Sequence, residues 1–294
     1  MSLTDNRTLD RYPTRTLAPA PHRRRVDPTV WGTIESDGLD TFDTDGFAIM
    51  DRLLHRAEVT DFATEVTRLT GDPELMLDER LVIEKGSRRV RSIFAVHELS
   101  SMVADLVRES RIAGLARQIL GSEVYLHQSR INYMPGLSGA GFSWHSDFET
   151  WHAEDGMPAP RAVSVSIALT ENFPFNGSLM LMPGSHRTFV PCQGETPANH
   201  YRESLRSQEV GVPRGADIVE LAAQCGITQF TGKPGSALVF DSNIMHGSSN
   251  NITPFPRSNI FLVFNSVENA LVEPFAADEP RPDYIANRDF TPLV

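Results

Sequence analysis

Cysteine is scarce in this chain of 294 residues, which carries only two, Cys192 and Cys225. Two thiols cannot build a disulfide framework, and these lack metal-ligand spacing, so idle or buried thiols in a reducing cytoplasm are expected. Long apolar runs are missing as well. None approaches the ~20 residues that span a bilayer, and the opening residues Met1 to Thr8 lack the apolar core of a signal peptide. Positive charge is in deficit, with a net charge of −11. Phosphate binding needs a basic face, so nucleic acid and anionic membranes are excluded as partners. The one basic cluster, His22-Arg-Arg-Arg25, sits in a proline-rich leader and reads as a solvated arm. No internal repeat or low-complexity tract is present. A cytosolic enzyme or a small-molecule binder remains, large enough for one generous core or two small ones.

Residues 1–30 carry Pro13, Pro19, Pro21 and Pro28 among polar residues. This predicts a mobile or loosely draped arm ahead of a single domain over 31–294. Asp43-Thr-Asp-Gly46 before Phe47-Ala-Ile-Met50 reads as a turn and a short strand. Val59, Phe62, Ala63, Val66 and Leu69 recur at the spacing of one helix face. Residues 100–120 read as two consecutive helices, with Ser100 or Ser101 as a cap and Gly121 as a stop. The charged stretch from Glu79 to Ser92 is expected to be loop or edge structure.

From residue 123 the period changes to two. Leu126, Gln128, Arg130 and Asn132 are assigned to one strand face, and Tyr125, His127, Ile131 and Tyr133 to the other. Val163, Val165, Ile167 and Leu169 likewise oppose Ser164, Ser166 and Ala168. Short β segments recur near 179–182, 235–241, 246–250 and 258–267, with a long insertion from about 187 to 230. Helices first and many short strands after predict a mainly β protein with flanking helices. The form expected is a double-stranded β-helix, jelly-roll or cupin-like, buttressed by the N-terminal helices.

The most informative stretch is Phe142-Ser-Trp-His-Ser-Asp-Phe-Glu-Thr-Trp151. Residues two apart in an extended segment share a face, so His145 and Asp147 can converge from one short strand. They make two thirds of a 2-His-1-carboxylate triad, which holds Fe(II) and leaves positions open. His186 and His246 are the candidates for the third ligand; His97, His127, His152 and His200 are weaker. His186 ends the turn Pro183-Gly-Ser-His, where it can simply cap a hairpin. His246 follows the apolar run Ala237-Leu-Val-Phe-Asp241, and Arg257 stands eleven residues beyond it at the start of another strand. An iron oxygenase needs a two-electron donor, and the far carboxylate of 2-oxoglutarate needs a fixed cation. Arginine, planar and bidentate, suits that task best. Arg257, Asn259 and Phe261 share one face against Ile260, Leu262 and Phe264, as a cavity wall backed by a core would require.

Several runs carry a family resemblance. The segment from Trp144 to Pro158, Leu169-Thr-Glu-Asn172, the segment from Asn176 to His186, the segment from Phe240 to Ser248, and Arg257-Ser-Asn-Ile-Phe261 resemble the ectoine hydroxylases. These belong to the phytanoyl-CoA dioxygenase-like superfamily of Fe(II)/2-oxoglutarate-dependent oxygenases, and the similarity covers essentially the whole chain from about Arg24. The resemblance implies His145, Asp147 and His246 as iron ligands, with 2-oxoglutarate and O2 as co-substrates. It implies that Arg257, helped by Ser248 and Asn132, holds 2-oxoglutarate. Gln128, Trp151, Phe240, Asn259 and Phe261 would line a pocket for ectoine, with 5-hydroxyectoine, succinate and CO2 as products. An intact Asp147 favours hydroxylation over halogenation, where a small residue replaces the carboxylate. Two other readings stand beside this one: a 2-oxoglutarate hydroxylase of another small polar substrate, and a non-catalytic β-barrel that binds a zwitterion. Monomer and homodimer are both left open, as is a lid formed by 187–230.

Overall fold

The computed structural model of the chain describes residues 10–83, 89–205 and 210–294. Its strands begin with β1 (Arg23–Arg24), β2 (Phe47–Met50), β3 (Leu81–Ile83), β4 (Val90–Phe94), β5 (Val124–Met134) and β6 (Phe142–His145). They continue with β7 (Ala162–Ala168), β8 (Leu179–Leu181), β9 (Thr188–Phe189), β10 (Thr228–Gln229), β11 (Ala237–Asp241), β12 (His246–Ser248) and β13 (Arg257–Ser266). A seven-stranded sheet runs in the order β2-β11-β7-β13-β5-β4-β3, and a four-stranded sheet in the order β10-β8-β12-β6. Both are antiparallel, and they face each other without closing into a barrel.

Alternation along the strands explains the layers. Val163, Val165 and Ile167 of β7, with Ile260, Leu262 and Phe264 of β13, turn toward Phe62, Val66, Leu106, Ile112 and Ile119. These partners lie on the helices Arg56–Thr70, Ser101–Arg108 and Ser110–Leu120. The opposite face of the large sheet presents Ala168, Leu238, Phe240 and Phe261, which meet Leu179 and Leu181 of the small sheet. Each of the buried Val, Leu, Ile and Phe side chains contributes roughly 1.5–3 kcal/mol. The two helices expected over 100–120 are both present. Ser100 precedes the first in extended conformation, yet its side chain makes no capping hydrogen bond. Gly121 ends the second with φ 60, where an added Cβ would lie 2.5 Å from the Trp31 carbonyl oxygen.

Two expectations need correction. Val263 pairs with Gln128 while the next residue, Phe264, pairs with Leu126, so His127 is the extra residue of a β-bulge. Leu126 therefore leaves the face of Gln128 and joins the helix-side core with Ile131. Gln128, Arg130 and Asn132 line a cavity between the sheets. The N-terminal arm is the second case, because from Asp10 onward it is tied down. Tyr12 is 1% exposed and meets Phe148 and Phe189 edge-on, at 5.1 Å each. Arg15 donates from Nε to Glu149 Oε1 at 2.7 Å and from Nη2 to Oε2 at 3.0 Å. The basic cluster divides: Arg23 and Arg24 are exposed, while Arg25 is buried and donates to Asp241 at 2.7 Å. The physical cause is Glu149, a buried carboxylate that requires a cation from outside its own segment. Residues 1–9 of the expected arm and 84–88 of the charged stretch lie outside the described residues. Among the described residues no helix is long and apolar enough to cross a membrane.

Arg15→Ala is expected to destabilise the fold by about 3–5 kcal/mol, since it leaves Glu149 buried without its partner. Burial alone raises the Glu149 carboxyl, but the adjacent Arg15 more than offsets this and holds it below its ordinary 4.5. A depressed carboxyl stabilises fully above the ordinary value and loses that contribution as pH falls through the folded value. Thermal melts below pH 4.5 should therefore fall more steeply for wild type than for Arg15→Ala, whose Glu149 carboxyl is no longer held down by a neighbouring cation.

Candidate active site

The site is assembled by strand pairing between segments a hundred residues apart. In the small sheet, His246 of β12 is the direct register partner of His145, the last residue of β6. Their ring centroids lie 4.3 Å apart. Asp147 departs from the expected geometry, because it opens the short helix Asp147–Thr150 instead of continuing the strand. Ser146 between them stays extended, at φ −110 and ψ 130, so the alternation that points His145 and Asp147 the same way survives one step past the strand. Asp147 Oδ1 lies 3.7 Å from His145 Nε2, and Oδ2 lies 3.9 Å from His246 Nε2. One ligand atom from each of the three falls within 4.8 Å of the other two.

Proton placement follows from the neighbours. His145 Nδ1 is 2.7 Å from the Ser143 carbonyl oxygen, and His246 Nδ1 is 3.0 Å from that of Ile244. A carbonyl only accepts, so each Nδ1 carries the hydrogen and each Nε2 turns a lone pair toward Asp147. Burial, followed by the neighbouring His246 ring, pushes the His145 pKa down to about 4, which keeps that lone pair free at neutral pH. Asp147 Oδ2 is buried with no hydrogen-bond partner among the described residues. Two neutral imidazoles and an unsatisfied carboxylate make a donor set that fits a divalent transition metal such as Fe(II).

The cavity around this cluster takes in most of the residues singled out from the sequence. Arg257, Ser248 and Asn132 all line it, as do Gln128, Trp151 and Phe261. Arg257 opens β13 and is buried, with no hydrogen bond or ion pair to a carboxylate among the described residues. Burial, and then the like charge of Arg91, lower its pKa to about 10, so it remains a cation at neutral pH. Ser248 Oγ accepts from the Phe142 N–H at 3.1 Å, and Asn132 Oδ1 accepts from Ser92 Oγ at 2.9 Å. Gln128 is held at both ends: its Nε2 donates to the Ile285 carbonyl at 2.6 Å and its Oε1 accepts from Arg130 Nη1 at 2.7 Å. Phe240 and Asn259 stand outside the lining. Phe240 is fully buried and meets the His246 ring at 5.3 Å, while Asn259 Nδ2 donates to Ser166 Oγ at 3.1 Å. His186, the other candidate for the third ligand, lies beneath Gly46, with Nε2 3.1 Å from the Asp43 carbonyl oxygen.

Other lining residues were not singled out from the sequence. Phe142 and Thr150 fall inside the long motif, and Arg130 shares the polar face of β5, so their signals were present. Phe94 and Arg281 had none. Arg281 sits between Pro280 and Pro282 in a C-terminal segment without regular structure, where no period announces a buried side.

Residues 42–259 match the family model of phytanoyl-CoA dioxygenase (PhyH). The ectoine dioxygenase of Nocardia farcinica is 73% identical over 285 residues, which cover 97% of this chain and 96% of that relative. The crystal structure of EctD from S. alaskensis with 2-oxoglutarate and 5-hydroxyectoine aligns with a TM-score of 0.85 at 44% identity, over 95% of each chain. The same protein with bound Fe aligns with a TM-score of 0.86 at 43% identity, over 97% of each chain. With this sequence identity, this fold and this convergence of two histidines and an aspartate, the chain belongs to the phytanoyl-CoA dioxygenase family and, within it, to the ectoine dioxygenases.

Proposed function

We propose that the chain converts ectoine, 2-oxoglutarate and O2 into 5-hydroxyectoine, succinate and CO2, with Fe(II) held by His145, Asp147 and His246. The observation that carries this reading is the His-Asp-His cluster sharing one cavity with a buried arginine that has no carboxylate partner among the described residues. Ectoine as substrate rests on the 73% identical ectoine dioxygenase and on the EctD structure with 5-hydroxyectoine. Fe(II) bound at the cluster supplies the chemistry that couples decarboxylation of 2-oxoglutarate to insertion of one oxygen atom into a C–H bond.

The chain's own residues supply position and dryness. Arg257 binds the distal carboxylate of 2-oxoglutarate as a preformed, desolvated cation, with Ser248 and Asn132 as neutral neighbours. Ectoine combines a delocalised amidinium with a carboxylate. Aromatic faces attract the first within ~6 Å of the ring, and Trp151, Phe261 and Phe94 line the cavity for it. Arg281 offers a cation to the second from another wall of the same cavity. In this reading residues 31–294 act as one catalytic domain. The free thiols of Cys192 and Cys225 fit a reducing cytoplasm.

Anaerobic reconstitution with Fe(II) and 2-oxoglutarate, followed by air with and without ectoine, tests the reading directly. Coupled formation of succinate and 5-hydroxyectoine is expected, whereas succinate without hydroxylated ectoine would replace the substrate and keep the oxygenase. Ala at His145, Asp147 or His246 should abolish turnover and strip iron, measured by metal analysis. Arg257→Ala should raise the KM for 2-oxoglutarate by roughly 10- to 100-fold, as for loss of a charge-assisted hydrogen bond, and leave iron content near normal. Trp151→Ala or Phe261→Ala should weaken ectoine binding by about tenfold with iron retained; loss of iron in these two variants would sink the pocket assignment.

A further inference from the structure

Beyond the metal cluster, the cavity-lining Arg281 is linked to three further buried ionic side chains, Asp155, Glu154 and Arg15. Arg281 Nε donates to Asp155 Oδ1 at 2.7 Å and Nη2 to Oδ2 at 2.6 Å, a bidentate fork with both partners buried. Glu154 Oε2 is 4.0 Å from Arg281 Nε, and its Oε1 accepts from Arg15 Nη2 at 3.2 Å. Asp155 also faces His127 Nε2 at 3.6 Å, and the His127 ring meets the Trp151 ring edge-on at 5.0 Å. Trp151 and Asp155 begin and end one π-helical turn. Such turns bond i to i+5, are rare, and are frequent at functional sites. The turn places an aromatic wall of the cavity at one end and the anchor of a cationic wall at the other.

Geometry separates the two edges of the Arg281 guanidinium. Asp155 occupies the Nε/Nη2 edge, and Nη1 has no hydrogen-bond partner among the described residues. The free edge belongs to a side chain that lines the metal cavity. Arg281 also lines a second cavity of about 330 Å³, whose wall carries Asp278 and Glu279. An arginine without its fork could turn to those carboxylates instead, because the flexible stem costs little to reorient compared with an ion pair.

We propose that Asp155 is a positioning residue: its fork, backed by Glu154 and Arg15, holds the free edge of Arg281 toward the substrate cavity, where it receives the carboxylate of the substrate. This rests on the reading that ectoine occupies that cavity. Asp155 is not among the residues that line the cavity, and its bidentate contact is with Arg281.

A double-mutant cycle tests it. Ectoine KM and kcat, 2-oxoglutarate affinity, iron content and thermal melts are measured for wild type, D155N, R281Q and D155N/R281Q. D155N is expected to raise the ectoine KM by roughly 10- to 100-fold, the cost of losing an oriented charge-assisted contact, with iron and 2-oxoglutarate binding unchanged. In the R281Q background D155N should add less than about twofold, because a lever without its arm has nothing to move. Independent, multiplying effects, or equal losses of iron, 2-oxoglutarate and ectoine binding, would overturn the positioning role and leave a purely structural one. If D155N alone does not fold, D155N/R281Q, which removes one charge of each sign, is compared with R281Q alone; equal ectoine affinity supports the role and a further loss overturns it. Wild type that turns ectoine over beside a D155N with unchanged ectoine KM sinks the positioning role alone. Wild type inactive on ectoine sinks both readings.

Discussion

Antiparallel pairing of β12 with β6 is the constraint on which the site depends. It sets His246 directly opposite His145, and the bonds of Nδ1 to Ser143 and Ile244 leave both Nε2 atoms facing one point. Two facing strands cannot supply a third ligand at that point without leaving the ladder, because the next residue on the same face would be carried along the strand and away. The chain solves this by ending β6 at His145 and starting a helix at Asp147. The carboxylate is thereby brought back over both imidazoles.

That solution loads the interior with charge. From Asp147 to Asp155 the chain carries four buried carboxylates, those of Asp147, Glu149, Glu154 and Asp155. Unpaired buried carboxylates are costly, so each needs a cation or must neutralise. Arg15 serves Glu149 and Glu154, and Arg281 serves Asp155. Asp147 Oδ2 has no hydrogen-bond partner among the described residues. The two cations arrive from opposite ends of the chain. This is why the N-terminal segment is packed from Asp10 onward and why the irregular C-terminal segment is buried at Arg281.

The β-bulge at His127 performs a comparable service on the large sheet. By letting β5 gain one residue against β13, it turns Gln128, Arg130 and Asn132 toward the cavity while keeping Leu126 in the helix-side core. A flat, unbroken alternation would have aimed Leu126 into the polar cavity instead. A strand can thus serve an apolar core along one half of its length and a polar chamber along the other.

Periodicity by itself determined much of the architecture: the helix over 56–70, the two helices over 100–120, the strands that recur from residue 123, and the inward faces of β7 and β13. This is because side-chain direction in a regular strand follows from residue parity alone. Motif chemistry likewise singled out His145, Asp147 and His246 as candidate ligands and Arg257 as a candidate cation, and the structure brings all four to one cavity. Tertiary structure decided what local pattern cannot encode. Tyr12, Arg15 and Arg25 sit among prolines and polar residues that read as a loose arm, and their burial follows from distant partners: Phe148 and Phe189 for Tyr12, Glu149 for Arg15 and Asp241 for Arg25. Phe240 and Asn259 share the right strand faces yet stand behind the cavity, because lining depends on which neighbour reaches the space first. Arg281 has no periodic context at all. Its place is set by a long-range ion pair with Asp155, and Coulomb attraction between residues 126 positions apart leaves no trace in either local sequence.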